Sequence, residues 1–200
     1  MLLRLLLPAA MIAASAPFAA AQQQAPQASP QPATPPAAKP KPKAAAAKKP
    51  AVVETKAKLL DKITDWTVFI YEDANGRVCF AASAPTDMQP RSVKRAPVIF
   101  YVTTWQKDGV RNEVSVRQGY AMKSNAPATV TVGNQNFTLT TLEDKAYAKD
   151  PAEERKLLAA MTAGGPMVVK ATSAKGAVTT DQYSLDGMAA AVEKLQEACP

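Results

Sequence analysis

The sequence predicts a mainly β protein: an antiparallel β-sandwich-like domain with two short helices, preceded by a disordered segment rich in Pro, Ala and Lys. Three observations carry that reading. Short runs of Val, Ile, Thr, Phe and Tyr recur from Trp66 onward, separated by turn signals such as Asn75-Gly76, Asp108-Gly109 and Gly133-Asn134. Two later stretches space apolar residues by three and four, as a helix does. Before residue 51 the chain holds almost nothing to bury once an apolar leader has passed. The chain therefore divides into a leader (1–21), a linker (22–58) and a single β-rich domain (59–200).

The leader reads as a cleaved signal peptide, with Arg4, an apolar core over Leu5–Ala14, and Ala19-Ala20-Ala21 as the cleavage site. A retained membrane anchor is the alternative, but Pro8 and Pro17 interrupt a run already short for a span. The mature chain is expected to lack a transmembrane helix and to occupy the periplasm, associate with the outer membrane or be secreted. In the linker, residues 22–50 carry eight prolines and no apolar side chain larger than Ala. Proline favours extended polyproline II, so these residues reach about 90 Å at about 3.1 Å each.

Charge is segregated. Residues 22–58 hold seven lysines and one acid, whereas residues 59–200 hold sixteen basic and sixteen acidic side chains. The basic balance thus belongs to the linker, which is expected to be drawn to anionic envelope surfaces through Lys39, Lys41, Lys43, Lys48 and Lys49. A nucleic-acid partner is not expected, because it would require the positive charge on a folded face.

Residues 51–64 read either as a short amphipathic helix or as the lead into the first strand. Trp66–Tyr71 and Arg77–Ser83 then pair across the Asn75-Gly76 turn. Pro85–Pro90 reads as loop, followed by strands at Val98–Trp105, Asn112–Arg117, Thr129–Val132 and Phe137–Leu142, with Ala146-Tyr147 as a short edge segment. Trp66, Phe69, Phe80, Phe100 and Phe137 alternate with polar neighbours and are expected in the core. Asp150 caps a helix that opens with Pro151, Glu153 and Glu154, buries Leu157, Leu158 and Met161, and stops at Gly164-Gly165-Pro166. Met167–Thr172 and Ala177–Leu185 form a hairpin across Ser173–Gly176. Asp186 offers an N-cap to the last helix, whose Met188, Val192, Leu195 and Cys199 share one face.

Two cysteines, Cys79 and Cys199, are present. In an exported chain an even pair reads as a disulfide, here closing a loop worth about 4–5 kcal/mol in the chain-entropy account. Two separately buried thiols are the alternative. The sequence contains no histidine, which removes Ser–His–Asp and Cys–His catalysis and His-ligated metals together. G-x-S-x-G, P-loop and S-x-x-K motifs are also missing, and no catalytic residue, metal site or cofactor is expected. Carboxylate pairs remain, Asp181 with Asp186 and Asp87 with Glu113, although acids at such positions ordinarily cap turns or face water. For binding, Arg91, Lys94 and Arg95 form a basic cluster between Pro90 and Pro97, and Trp105 and Tyr120 sit at strand ends. Together these five are the candidate surface for an anionic glycan, lipid head group or protein. The bland reading is a solvated loop with rings that close the ends of the sandwich.

Five segments, in order, resemble the invasion-associated locus B family of alphaproteobacterial envelope proteins. They are Val78-Cys79-Phe80-Ala81-Ala82-Ser83-Ala84-Pro85, Val114-Ser115-Val116-Arg117-Gln118-Gly119-Tyr120, Ala160-Met161-Thr162-Ala163-Gly164, Met167–Gly176 and Thr179–Gly187. The resemblance spans residues 60–200 and implies an exported envelope protein, with a role in host-cell invasion in some pathogens. The partner it suggests is a protein or glycan of the envelope or of a host surface. A structural envelope protein and a carboxylate-dependent hydrolase are the alternatives.

Overall fold

The computed structural model describes residues 56–200. The leader expected over 1–21, and all of the expected linker except its last three residues, lie outside the described residues. Eleven strands are present: β1 (Lys58–Ile63), β2 (Trp66–Asp73), β3 (Gly76–Ser83), β4 (Asp87–Gln89), β5 (Ile99–Trp105), β6 (Val110–Arg117), β7 (Ala128–Val132), β8 (Gln135–Leu142), β9 (Lys145–Ala148), β10 (Met167–Thr172) and β11 (Val178–Tyr183). Helix α1 (Pro151–Ala163) separates β9 from β10, and α2 (Met188–Ala198) follows β11. All the strands join one antiparallel sheet in the order β1-β2-β3-β5-β6-β9-β8-β7-β10-β11-β4. Phe100 on β5 and Tyr183 on β11 are six places apart in that order, yet their ring centroids are 5.6 Å apart. The sheet therefore bends back on itself to make the two packed layers expected of a sandwich.

Alternation sets the core. Val68 faces Ala81, Ala81 faces Val102, and Val102 faces Val114 across four neighbouring strands, and all four are fully buried. Met167, Val169 and Ala171 of β10 and Val130 and Val132 of β7 meet them from the opposite layer. Both helices lie on the core side: α1 contributes Leu157, Ala160 and Met161, and α2 contributes Met188, Ala191, Val192 and Leu195. The face expected for the last helix is thus the face it buries. Asp150 caps α1 as expected, its carboxylate accepting from the backbone N–H groups of Ala152 and Glu153 at 2.9 Å each. Cys79 and Cys199 are disulfide-bonded, with Cα atoms 6.0 Å apart, and the bond anchors the end of α2 to β3.

Five expectations are changed or resolved. Residues 58–63 form a strand, which settles the described part of the 51–64 stretch, residues 51–55 lying outside the described residues. Pro85–Pro90, read as loop, contains β4, whose three residues are too few to show alternation but pair with Thr180–Gln182 of β11. Ala146-Tyr147 is no edge: β9 lies between β6 and β8. Asp186 does not cap α2. Gly187 is the N-cap, at φ +87°, and a Cβ there would come within 2.4 Å of the Ile63 carbonyl oxygen. That close approach of the β1 end requires glycine, and it leaves Asp186 accepting from Asp65 N–H through its backbone carbonyl at 3.3 Å. Phe69 and Phe80, expected in the core beside Trp66, lie on the opposite face of the sheet, in register with each other.

Candidate functional site: a cleft held by a buried ion pair

The segment from Pro90 to Val98 links edge strand β4 to β5. Ala96 N–H donates to the Gly119 carbonyl at 2.9 Å, and a Cβ on Gly119 would overlap the Ala96 oxygen at 2.1 Å. Arg117 Nε donates to the Pro97 carbonyl at 3.3 Å. From this loop Arg95 turns inward, its Nη1 and Nη2 reaching Asp181 Oδ2 and Oδ1 at 2.8 and 2.6 Å. Its side chain is 4% exposed and that of Asp181 0%. Bidentate geometry gives two charge-assisted bonds, the arrangement that best offsets the cost of taking both charges out of water. The bond to Asp181 is the main cause that holds the Arg95 pKa above its ordinary value.

Around the pair, the Arg95 guanidinium stands 5.9 Å from the Tyr120 ring centroid. The Tyr120 hydroxyl and Thr179 Oγ1 are 2.6 Å apart, and Gln118 Oε1 accepts from Arg95 at 3.4 Å. Burial pushes the Tyr120 phenol up, and it pushes Tyr183, two residues from Asp181, higher still. Thr179, Asp181 and Tyr183 share the core-facing side of β11 and are all buried.

A cleft of about 580 Å³ opens between β4 and this loop, walled by Pro85, Met88, Pro90, Val93, Pro97 and Val98. Arg91 stands at its rim with 83% of its side chain exposed, in a 3.2 Å contact with Asp87. Lys94 is exposed as well. The five candidate binding residues therefore fall in three places. Arg91 and Lys94 face solvent on the loop, Arg91 alone of the two lining the cleft, and Arg95, which also lines it, sits with Tyr120 in the buried polar cluster. Trp105 lies at the far end of β5, about 20 Å along the strand from the loop. Gln118 and Thr179 complete the cluster and were not singled out in the sequence. The signal that points to them is Asp181 itself, because a charge on a core-facing strand position demands partners.

The carboxylates are also dispersed. Asp181 is bound to Arg95, whereas Asp186 is exposed beyond the end of β11. Asp87 is the only acid lining the cleft among the described residues. Glu113 sits on β6 with its pKa raised by burial, opposed by a hydrogen bond from Trp105 and by Lys145. Glu154 of α1 is raised by burial too, partly offset by Val114 N–H donating to it at 2.8 Å, and the Glu113 charge adds to the rise. Neither glutamate lines this cleft or a second, smaller one of about 230 Å³ beside Pro127 and Thr140. Among the described residues no cluster of three or more His, Cys, Asp or Glu side chains is placed to hold a metal ion. No helix among them is long and apolar enough to cross a membrane.

These features define a disulfide-closed, antiparallel β domain in which a buried ion pair holds a cationic loop beside an edge strand. Residues 66–196 match the model of the family described as invasion associated locus B (IalB) protein, and the chain belongs to that family. The crystal structure of invasion associated protein b from Bartonella henselae is similar in fold, with a TM-score of 0.51 and 18% sequence identity. The likeness covers 70% of this chain and 97% of that one. Comparison with curated proteins returns no match.

Proposed function

We propose that this protein is an exported envelope protein of the invasion associated locus B type, and that it binds a protein or glycan partner through the exposed Arg91–Lys94 stretch of the loop beside the cleft. The observation that carries this reading is the division of labour in one short loop. Arg95 is consumed internally by Asp181, which fixes the loop, while Arg91 and Lys94 are left facing water. An ordered pair of cations beside an apolar cleft suits recognition of an anionic group carried on an apolar body. Chemistry is less well served, since the one buried acid beneath the cleft is neutralised by its arginine. An oxidised Cys79–Cys199 pair supports export, because disulfides persist in oxidising compartments. The family and the Bartonella neighbour support a role in contact with host cells for those organisms that make it. The linker lysines add a second, salt-screened attraction to anionic envelope material.

The test is in-cell crosslinking followed by capture from envelope extracts, comparing the natural chain with an Arg91→Glu, Lys94→Glu double variant at low and high salt. Capture that survives high salt is expected for the natural chain and not for the double variant. Salt-resistant partners that persist through both charge reversals would show that this stretch of the loop is not the binding surface. Capture of nothing by either chain would favour a purely structural envelope protein.

A further inference from the structure

The cleft beside the Pro90–Val98 loop is poor in main-chain donors. Pro85, Pro90 and Pro97 in its wall have no N–H. The N–H groups of Thr86, Val93 and Ala96 are already engaged by the carbonyls of Gln182, Pro90 and Gly119. Arg95, which also lines the cleft, supplies what the wall lacks. Of its five N–H groups, two bond Asp181 and a third reaches Gln118 Oε1. Nε–H and one hydrogen on Nη2 have no partner among the described residues. Next to it Gln118 is fully buried, and with its oxygen turned to Arg95 its amide nitrogen has no partner either. A buried amide donor left unpaired costs free energy, so a site that keeps one is short of an acceptor. The Tyr183 hydroxyl is likewise unpartnered, but its ring is held edge-on against Phe100 at 5.6 Å, within the core.

If the loop beside the cleft is the binding surface, as proposed above, these groups define its ligand. We propose that the cleft takes an extended apolar peptide segment of a partner protein, which sets one main-chain carbonyl oxygen on Arg95 and Gln118 and an acidic side chain on Arg91. Charge selects the carbonyl. Asp181 already neutralises Arg95 with both of its oxygens, so a carboxylate placed there would meet Asp181 as a like charge, whereas a neutral oxygen would not. The walls select the body of the ligand. Met88, Val93, Val98 and the prolines suit apolar side chains better than the hydroxyls of a sugar, and the volume of about 580 Å³ is that of a ligand site. At the rim Arg91 is 83% exposed, and its one partner among the described residues is Asp87 at 3.2 Å. So exposed a contact contributes little, and an incoming carboxylate can take its place, with Lys94 exposed on the same loop.

Selection of a random heptapeptide library on the exported chain, purified with its disulfide intact, tests this directly. Peptides that join an acidic residue to apolar neighbours are expected. Titrated as capped synthetic peptides, they should bind the natural chain and lose about tenfold or more in affinity with Arg91→Glu and with Gln118→Met. Without peptide, Gln118→Met should melt no lower than the natural chain, because the nitrogen it removes is unpaired and the bond it loses to Arg95 is long at 3.4 Å. Tyr183→Phe, which removes the other unpartnered group, should leave binding unchanged. If Gln118→Met does not fold, the peptide decides: replacing its amides one at a time by trans alkenes should weaken binding about tenfold or more at one position only. A loss shared equally by Tyr183→Phe, or a peptide in which no single carbonyl matters, overturns the placement of the carbonyl. If no peptide is selected while a heparin tetrasaccharide binds and Arg91→Glu abolishes that binding, the peptide ligand fails and the binding loop stands. If in-cell capture also survives the Arg91→Glu, Lys94→Glu double variant, the binding loop itself fails.

Discussion

Replacing Arg95 with Met removes the guanidinium but keeps most of the side-chain bulk, and it should unfold the protein more readily than any surface charge change. The structure sets the magnitude. Both bonds to Asp181 are short, and the two side chains are 4% and 0% exposed, so the variant leaves a carboxylate in a site that water does not reach. Breaking a buried pair from one side costs about 3–5 kcal/mol. In a domain of this size that corresponds to a melting point lower by about 6–20 °C. The loop from Pro90 to Val98 loses its inward anchor at the same time, so protease cleavage within it should increase. Urea unfolding monitored by tryptophan fluorescence, with the disulfide kept intact, measures the cost. The control is the double variant Arg95→Met, Asp181→Leu, which removes both charges and should recover most of the lost stability, because an apolar pair avoids the desolvation that the ion pair has to offset. A cost below about 1 kcal/mol for Arg95→Met alone would refute the reasoning. So would a double variant as unstable as the sum of the two singles.

Non-reducing mass analysis of the exported protein should show one Cys79–Cys199 link and no free thiol, and Cys199→Ser should cost about 2–5 kcal/mol in unfolding free energy. Gly119→Ala and Gly187→Ala should each be destabilising by at least roughly 1–3 kcal/mol, since a side chain there takes a positive φ and strikes a backbone oxygen. Alanine at Gly133 or Gly176, where no atom lies within 4 Å, provides the comparison that isolates the clash. Asp150→Ala should lower the melting temperature, while Asp186→Ala should leave it almost unchanged, because only the first is a cap. The Asp150 pKa is lowered by its backbone hydrogen bonds, so the stability it supplies is complete above its ordinary value of 3.8 and is lost as pH falls through the lower folded value. The difference between natural chain and Asp150→Ala should therefore close in strongly acidic solution.

Much of this protein was legible in the sequence wherever neighbouring residues decide the structure. The Asn75-Gly76 and Gly133-Asn134 turns, the Asp150–Pro151 start of α1 and the apolar face of α2 are local signals, since a turn or cap needs only residues within a few positions. The two cysteines, read as those of an exported chain, indicated their own pairing by number. The assignment of faces was harder. Phe69 and Phe80 alternate as core residues do, but period two fixes only which residues share a face, and not which face meets the other layer. Trp66 and Val68 won the inside because α2 and Cys199 pack against that side.

The site depended on contacts that sequence distance hides. Arg95 and Asp181 are 86 residues apart, and Tyr120 and Thr179 are 59 apart, so nothing local says that they meet. Gly187 in place of Asp186 as the cap of α2 follows from the approach of Ile63, more than a hundred residues earlier. β4 exists because β11 offers an open edge to three residues that carry no strand signal of their own. The sequence by itself determined most of the segments that become strands and helices, β1 and β4 excepted, because dihedral preference and solvent patterning act over a few residues. Only the tertiary structure decided which cation is buried, which face solvent and which aromatic residues pack on the far side of the sheet. Those outcomes depend on desolvation and packing among elements brought together only when the sheet folds back on itself.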